Sequence, residues 1–300
     1  MIQFREHVNP VFADKSEAEM LLGELDVYTS NLNEFELMAK LQTTEKITVS
    51  DYLNHAKKQA LPWKSELMER VLGAIANISI HLELNPMPLP EEVHFVLTTG
   101  LEEGYAAYTR GTAIFLNERI IQNHRNLTRL IAHELVHVAT RNNRKWKDKL
   151  YSQIGFKPCE PPVFSPQFQK YLFSNPDAPR IDHALQVTYD GVKQNVAPII
   201  FTSQEHYLGG NFFQYIEVGL FLLDGENGTE YHMYPEENRI IDFDDCPEFF
   251  ENVGNNTNYL FHAEEILADN IADIYTNRLD YDSPDIIRKI LQTLNHESFD

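Results

Sequence analysis

Five consecutive residues, His133-Glu134-Leu135-Val136-His137, have the types and spacing that metal-assisted hydrolysis requires. On an α-helix, residues four apart lie nearly above one another on one face. Both imidazoles can then reach a single ion at about 2.0–2.1 Å. Glu134, next to the first histidine, can contact an activated water without ligating the ion, take its proton and pass it to the leaving group. A five-residue match of this kind arises from composition alone in roughly a few of every hundred chains. A chance match, however, has no reason to fall on a helix. Here Asn126 is a suitable N-cap, and LTRLIAHELVHVATRNN carries Leu127, Ile131, Leu135 and Val138 on one apolar stripe.

A catalytic zinc takes three protein ligands and keeps a fourth position for water. The continuation H-E-x-x-H-x-x-G-x-x-H would need Gly at Thr140 and His at Asn143, so the third ligand must come from elsewhere. The segment HAEEILADNIADIY, residues 262–275, places Glu265 and Asp269 four apart on one helix face. Ala268 and Ala272 lie beside them, small enough to let a second helix approach closely, while Leu267, Ile271, Ile274 and Tyr275 form a separate apolar stripe. Glu264 is a rival ligand, but its face continues through Leu267 and Ile271 on the apolar side.

HELVH followed by a helix bearing Glu-x-x-x-Asp resembles the gluzincin, or thermolysin-like, superfamily of zinc metallopeptidases, over residues 105–140 and 261–275. The resemblance implies that His133, His137 and Glu265 hold one zinc ion per chain. It implies that Asp269 orients a ligating histidine, His133 by preference, through the far ring nitrogen. It also implies a peptide substrate lying along an edge strand just upstream, which would be TAIFLN at 112–117. A donor to the developing oxyanion is expected too. His262, one turn before Glu265, is the first candidate, with His206, Tyr207, Tyr215 and His232 behind it. One departure from the family is that Glu265 lies 128 positions after His137, so the intervening segment must loop out and return.

The elements that would position these groups read as an α+β fold. Residues 15–85 carry helical periodicity, with Ser50 and Pro62 as start signals, and end at the proline cluster Asn85-Pro86-Met87-Pro88-Leu89-Pro90. Short strands are expected at 94–99, 105–109 and 112–117, forming a small sheet against the HExxH helix. A β-rich insertion spans about 156–258, with hairpin turns at Asp190-Gly191 and Asp224–Gly228, and two helices close the chain. This divides the chain into a helical region 1–88 and a catalytic domain 89–300.

Composition narrows the partners. Twenty-five Lys and Arg against 45 Asp and Glu give a net charge of −20, which disfavours nucleic acid and anionic membranes. The one basic cluster, Arg141 to Lys147, reads as a solvated helix end. Cys159 and Cys246 lack metal or redox spacing and are expected as free thiols. MIQFREHVNP has no apolar core of a signal peptide, so a cytoplasmic location is expected, with export that needs no cleaved signal left open. The functional expectation is a zinc-dependent hydrolase acting on peptide bonds. The alternative is a zinc-stabilised interaction or regulatory protein without turnover, against which the intact Glu134 argues.

Overall fold

The N-terminal helices begin where short polar side chains can satisfy free backbone N–H groups. In this computed structural model, which describes residues 8–223 and 239–295, α1 (Lys15–Leu22), α2 (Val27–Asn31), α3 (Glu34–Leu41) and α4 (Val49–Lys57) are capped by Asp14, Asp26, Asn33 and Thr48. Helix α4 starts earlier than Ser50 suggests, because Thr48 and Asp51 cap one another reciprocally. The long helix α5 (Ser65–Leu84) starts at Ser65 rather than directly after Pro62.

A four-stranded mixed sheet lies beside these helices: β1 (Asn9–Phe12), β2 (Glu92–Thr98), β3 (Tyr108–Arg110) and β4 (Ala113–Asn117), in the order β1-β2-β4-β3. Strand β1, which periodicity did not reveal, pairs in parallel with β2 across the proline cluster. The division at 88/89 therefore runs between paired strands and through a shared core: Leu67, Val71, Ile75 and Ile78 of α5 pack with Val93, Phe95, Ile114 and Leu116.

The expected edge strand needs correction. TAIFLN is not an edge, because β4 lies between β2, parallel, and β3, antiparallel. All five β4 residues are buried, as suits a strand covered on both faces. The edge strands are β1 and β3, and at β3 Thr109 directs its N–H and C=O away from β4, towards Asp177 and Arg141.

After β4 come α6 (Glu118–Asn123), α7 (Leu127–Asn142) and α8 (Arg144–Gln153). The insertion then forms an antiparallel sheet, β5 (Phe156–Pro158), β6 (His183–Tyr189), β7 (Val192–Phe201), β8 (Glu217–Leu223) and β9 (Ile240–Ile241). Asp190 and Gly191, with φ of 50° and 75°, turn the β6–β7 hairpin as that dipeptide promised. The sheet alternates: Leu185, Val187, Val196 and Leu220 enter the main core, while Ala184, Ala197, Ile199 and Phe221 pack with Phe168 on the other face. The hairpin expected at 224–228 lies outside the described residues. Helices α9 (Pro247–Val253), α10 (Ala263–Tyr275) and α11 (Pro284–Asn295) complete the fold. Both cysteines are free. Among the described residues no helix is long and apolar enough to cross a membrane.

The pairing of α7 with α10 decides where the chemistry can sit. Ala268 and Ala272 are fully buried in the core that contains Ile131, Leu135 and Val138 of α7. A larger side chain there must push the helices apart. Ala268→Leu should lower stability by about 1–3 kcal/mol through overpacking, as measured by chemical denaturation.

Candidate metal centre

Helix α7 begins where Asn126 Oδ1 accepts from the Arg129 N–H at 3.0 Å, and about two turns later presents His133, Glu134 and His137. All three are buried. Helix α10 begins at His262, whose Nδ1 accepts from the Glu264 N–H at 3.0 Å, and delivers Glu264, Glu265 and Asp269. Glu265 Oε2 lies 3.1 Å from His133 Nε2 and 3.6 Å from His137 Nε2. Two ligand atoms at about 2.0–2.1 Å from one tetrahedral ion are roughly 3.3–3.4 Å apart, so both separations suit a common ion. His137 Nε2 is buried and has no hydrogen-bond partner among the described residues, a costly state for a ring nitrogen unless something binds it. His133, His137 and Glu265 thus form a buried group that could hold a metal ion.

The far ring nitrogens are held by acids. His133 Nδ1 donates to Asp269 Oδ1 at 3.0 Å, the contact expected of Asp269. Asp269 is itself tied to Arg129 and Thr257. His137 Nδ1 donates to Glu264 Oε1 at 3.0 Å. Glu264 also accepts from Thr140 at 2.5 Å and from the Tyr151 hydroxyl. This changes the reading of Glu264. It lies on the side of α10 that faces the core, as its helical face implied, yet it does there for His137 what Asp269 does for His133.

Charge follows from these contacts. Burial disfavours ionised His133, but the hydrogen bonds from Asp269 and Glu265 outweigh it and raise the imidazole to about 9. Burial likewise opposes, and the charges of Glu265 and Asp177 with the Glu264 hydrogen bond reverse, the shift of His137, which ends well above the ordinary histidine value. Glu265 is held well below the carboxylate range: burial would raise it, but the two histidines dominate. Glu134 is raised by burial, only partly offset by His137, His133 and Thr109. Its Oε2 accepts from Thr109 Oγ1 at 2.8 Å, which links it to the edge strand.

Several groups at the centre had no signal in the sequence pattern. Asp177 has ligand atoms within 4.8 Å of those of Glu134 and His137. Asn175 donates to Glu265 Oε1 at 2.6 Å. Both lie on the loop Ser174-Asn-Pro-Asp-Ala178, which has no periodicity to read. The Tyr259 ring is 6.1 Å from that of His133, and burial, then the charges of Glu265, Asp177, Glu134 and Asp269, push its hydroxyl well above the ordinary tyrosine value. His262 instead serves as the helix cap. It is lowered to about 4 by burial and by Lys147, and it shares no hydrogen bond with His133, Glu134, His137 or Glu265. Tyr207 and Tyr215 donate to Gly210 O and Gly209 O and brace their own loop, and His206 is exposed. His232 lies outside the described residues. The basic cluster is not merely solvated, since Arg141 binds the carbonyls of Thr109, Pro176 and Asp177, and Arg144 and Lys147 pair with Asp182.

The family described as the eCIS core domain, a domain of extracellular contractile injection systems, matches residues 102–145. That span runs from just before β3 through the HELVH helix and excludes α10. No curated protein and no solved structure matches the chain. Fold and site together define a mixed α/β protein with an HExxH helix and a buried His-His-Glu group able to hold a metal.

Two outcomes follow for metal binding. Asp269→Ala and Glu264→Ala should each weaken metal affinity by roughly 10–100-fold, measured by chelator competition. Affinity should also depend on pH. A proton occupies metal-free His133 below about 9 and must leave when Nε2 binds an ion. Apparent affinity should therefore rise as pH increases from 6 to 9, by roughly tenfold per unit for each proton displaced. A flat profile in the same competition assay would contradict this.

Proposed function

We propose that this chain is a zinc-dependent peptidase of gluzincin type, with His133, His137 and Glu265 as metal ligands and Glu134 as general base. The observation that carries the reading is the doubly fixed histidine pair. Asp269 and Glu264 each accept a hydrogen bond from an Nδ1–H, which leaves both Nε2 atoms turned to Glu265 with Glu134 alongside. Two imidazoles and a carboxylate suit zinc better than the hard cations that prefer oxygen alone. Zinc bound there supplies a Lewis acid that polarises a carbonyl and acidifies water.

The protein groups then divide the remaining work. Glu134, its affinity for protons raised by burial, takes the proton of the attacking water and returns it to the leaving amine. Thr109 Oγ1 fixes one oxygen of Glu134 and leaves the other for that transfer. Tyr259, kept protonated by burial and by the acids around it, would donate to the oxyanion, a role that His262 cannot take while it caps α10. The main chain of a peptide would align on β3 rather than on 112–117, displacing the contacts of the Thr109 N–H and C=O with Asp177 and Arg141.

The test is Glu134→Gln. The amide keeps the shape and the Thr109 contact but cannot accept the proton. Zinc content should stay unchanged while kcat falls by about 10²–10⁴-fold, read by mass spectrometry of cleavage products from a peptide library. Turnover within about tenfold of wild type would assign the base elsewhere.

A further inference from the structure

Residues 173–179 run past β3, where Asp177 Oδ1 meets the Thr109 N–H, and the fold anchors them at both ends. Phe173 N–H donates to Ile200 O at 2.8 Å, and Ser174 N–H to Glu36 Oε1 of α3 at 2.6 Å. Asn31 Nδ2 donates to Pro179 O at 3.2 Å, and Arg141 Nη2 to the carbonyls of Pro176 and Asp177, both at 2.7 Å. What this framework holds against the metal centre is the side chain of Asn175. Its backbone is already narrowed by Pro176, since a residue before proline is pushed towards extended conformations. Its amide is oriented from both sides. Oδ1 accepts from the Asp177 N–H at 2.8 Å, and Nδ2 donates to Glu265 Oε1 at 2.6 Å. Turned over, the amide would set its oxygen against the carboxylate and its NH₂ against an N–H, so one orientation alone serves.

The two oxygens of Glu265 therefore have different work. Oε2 lies 3.1 Å from His133 Nε2 and 3.6 Å from His137 Nε2, and is the oxygen that can share an ion with them. Oε1 is engaged by Asn175. A carboxylate that swung to bind through both oxygens would take a further position at the ion, either the one needed by water or a fifth. The hydrogen bond opposes that swing, and with an ionised acceptor it is of the stronger kind. The donor is also neutral. An Arg or Lys there would set positive charge beside a bound cation, whereas an amide directs the carboxylate without that repulsion. Asn175 is only half-buried and lines a cavity of about 480 Å³, so it contributes little to packing. Its donor is what the centre uses.

We propose that Asn175 is a positioning residue that keeps Glu265 on the metal through Oε2 alone, so that a place for water stays open. The proposal rests on the ligand set His133, His137 and Glu265 given above, and not on turnover. It also gives the helical N-terminal region a part in the centre, because Glu36 of α3 fixes Ser174 and so the chain position of Asn175. A loop that supplies no ligand thereby controls how many ligand atoms the metal receives.

The test uses the full chain as wild type, Asn175→Ala and Asn175→Ser, with Co²⁺ for spectroscopy and Zn²⁺ for affinity. Serine keeps an oxygen that can accept from the Asp177 N–H, so it preserves the turn, yet it is too short to reach Glu265. Wild type should give the intense visible absorption of four-coordinate cobalt. Both variants should absorb more weakly, because intensity falls as the coordination number rises to five. Zinc affinity, read by chelator competition, should drop by about tenfold, the low end for a lost contact to a ligand, since the second oxygen recovers part of the loss. The Ser variant decides. A wild-type spectrum from Asn175→Ser would overturn the proposal, whatever Asn175→Ala does, and would leave the loop turn as the only role of Asn175. Wild type that takes up no cobalt would sink the ligand set, and the proposal with it. Spectra that differ as expected, with no cleavage of a peptide library by any of the zinc-loaded proteins, would uphold the proposal and remove the peptidase reading.

Discussion

Everything in the centre depends on how closely α7 and α10 approach. Neither helix alone has the groups to hold a metal ion: α7 supplies two imidazoles, and α10 supplies Glu265 with the acids that orient both rings. Fully buried Ala268 and Ala272 are the steric permission for this pairing. Because the helices share one core with α5 and both sheets, the ligand spacing is set by packing over a large part of the molecule. A coordination geometry held in this way is stiff, which favours a small ion with firm angular demands over a large adaptable one.

The charge of the centre raises a second constraint. Glu134, Asp177, Glu264, Glu265 and Asp269 gather around two histidines, and most of these side chains are buried. Without an ion, the imidazoles must hold protons to balance the acids, and this is the direction in which both are shifted. The same arrangement serves the metal-free and the loaded protein, because protons and a divalent cation are alternative answers to one electrostatic problem. Arg129, paired with Asp269 and Asp273, contributes positive charge from the outer side.

What was legible in the sequence was what is local to one helix. His133, Glu134 and His137 follow from a four-residue spacing, the Asn126 cap and the stripe of Ile131, Leu135 and Val138 from periodicity, and the Glu265–Asp269 pair from the same rule on a second helix. The α+β class and the Asp190-Gly191 hairpin were readable for similar reasons. Strand order was not. The apolar run of β4 says that it is a buried strand but not which strands flank it, and β1 is four residues with no pattern of its own. The contacts of Glu264 were not legible, because a residue on an apolar face reads as core, whereas this one is satisfied by His137, Thr140 and Tyr151, which come from distant positions. Asn175 and Asp177 lie on a loop, and only the fold brings a loop to a metal site.

The long return from His137 to Glu265 has a consequence for how the protein is made. A centre whose ligands are separated by the whole of the β-rich insertion closes a large loop, and this contact forms late because loop-closure entropy must first be overcome. During synthesis the HELVH helix emerges well before α10, so a nascent chain carries two imidazoles and no third ligand. The full His-His-Glu group exists only after the insertion has folded and α10 has docked. An ion held there would join segments far apart in sequence, and its release would loosen their mutual docking more than either helix. Occupancy of such a centre would report on whether the segments on both sides of the insertion have reached their final arrangement.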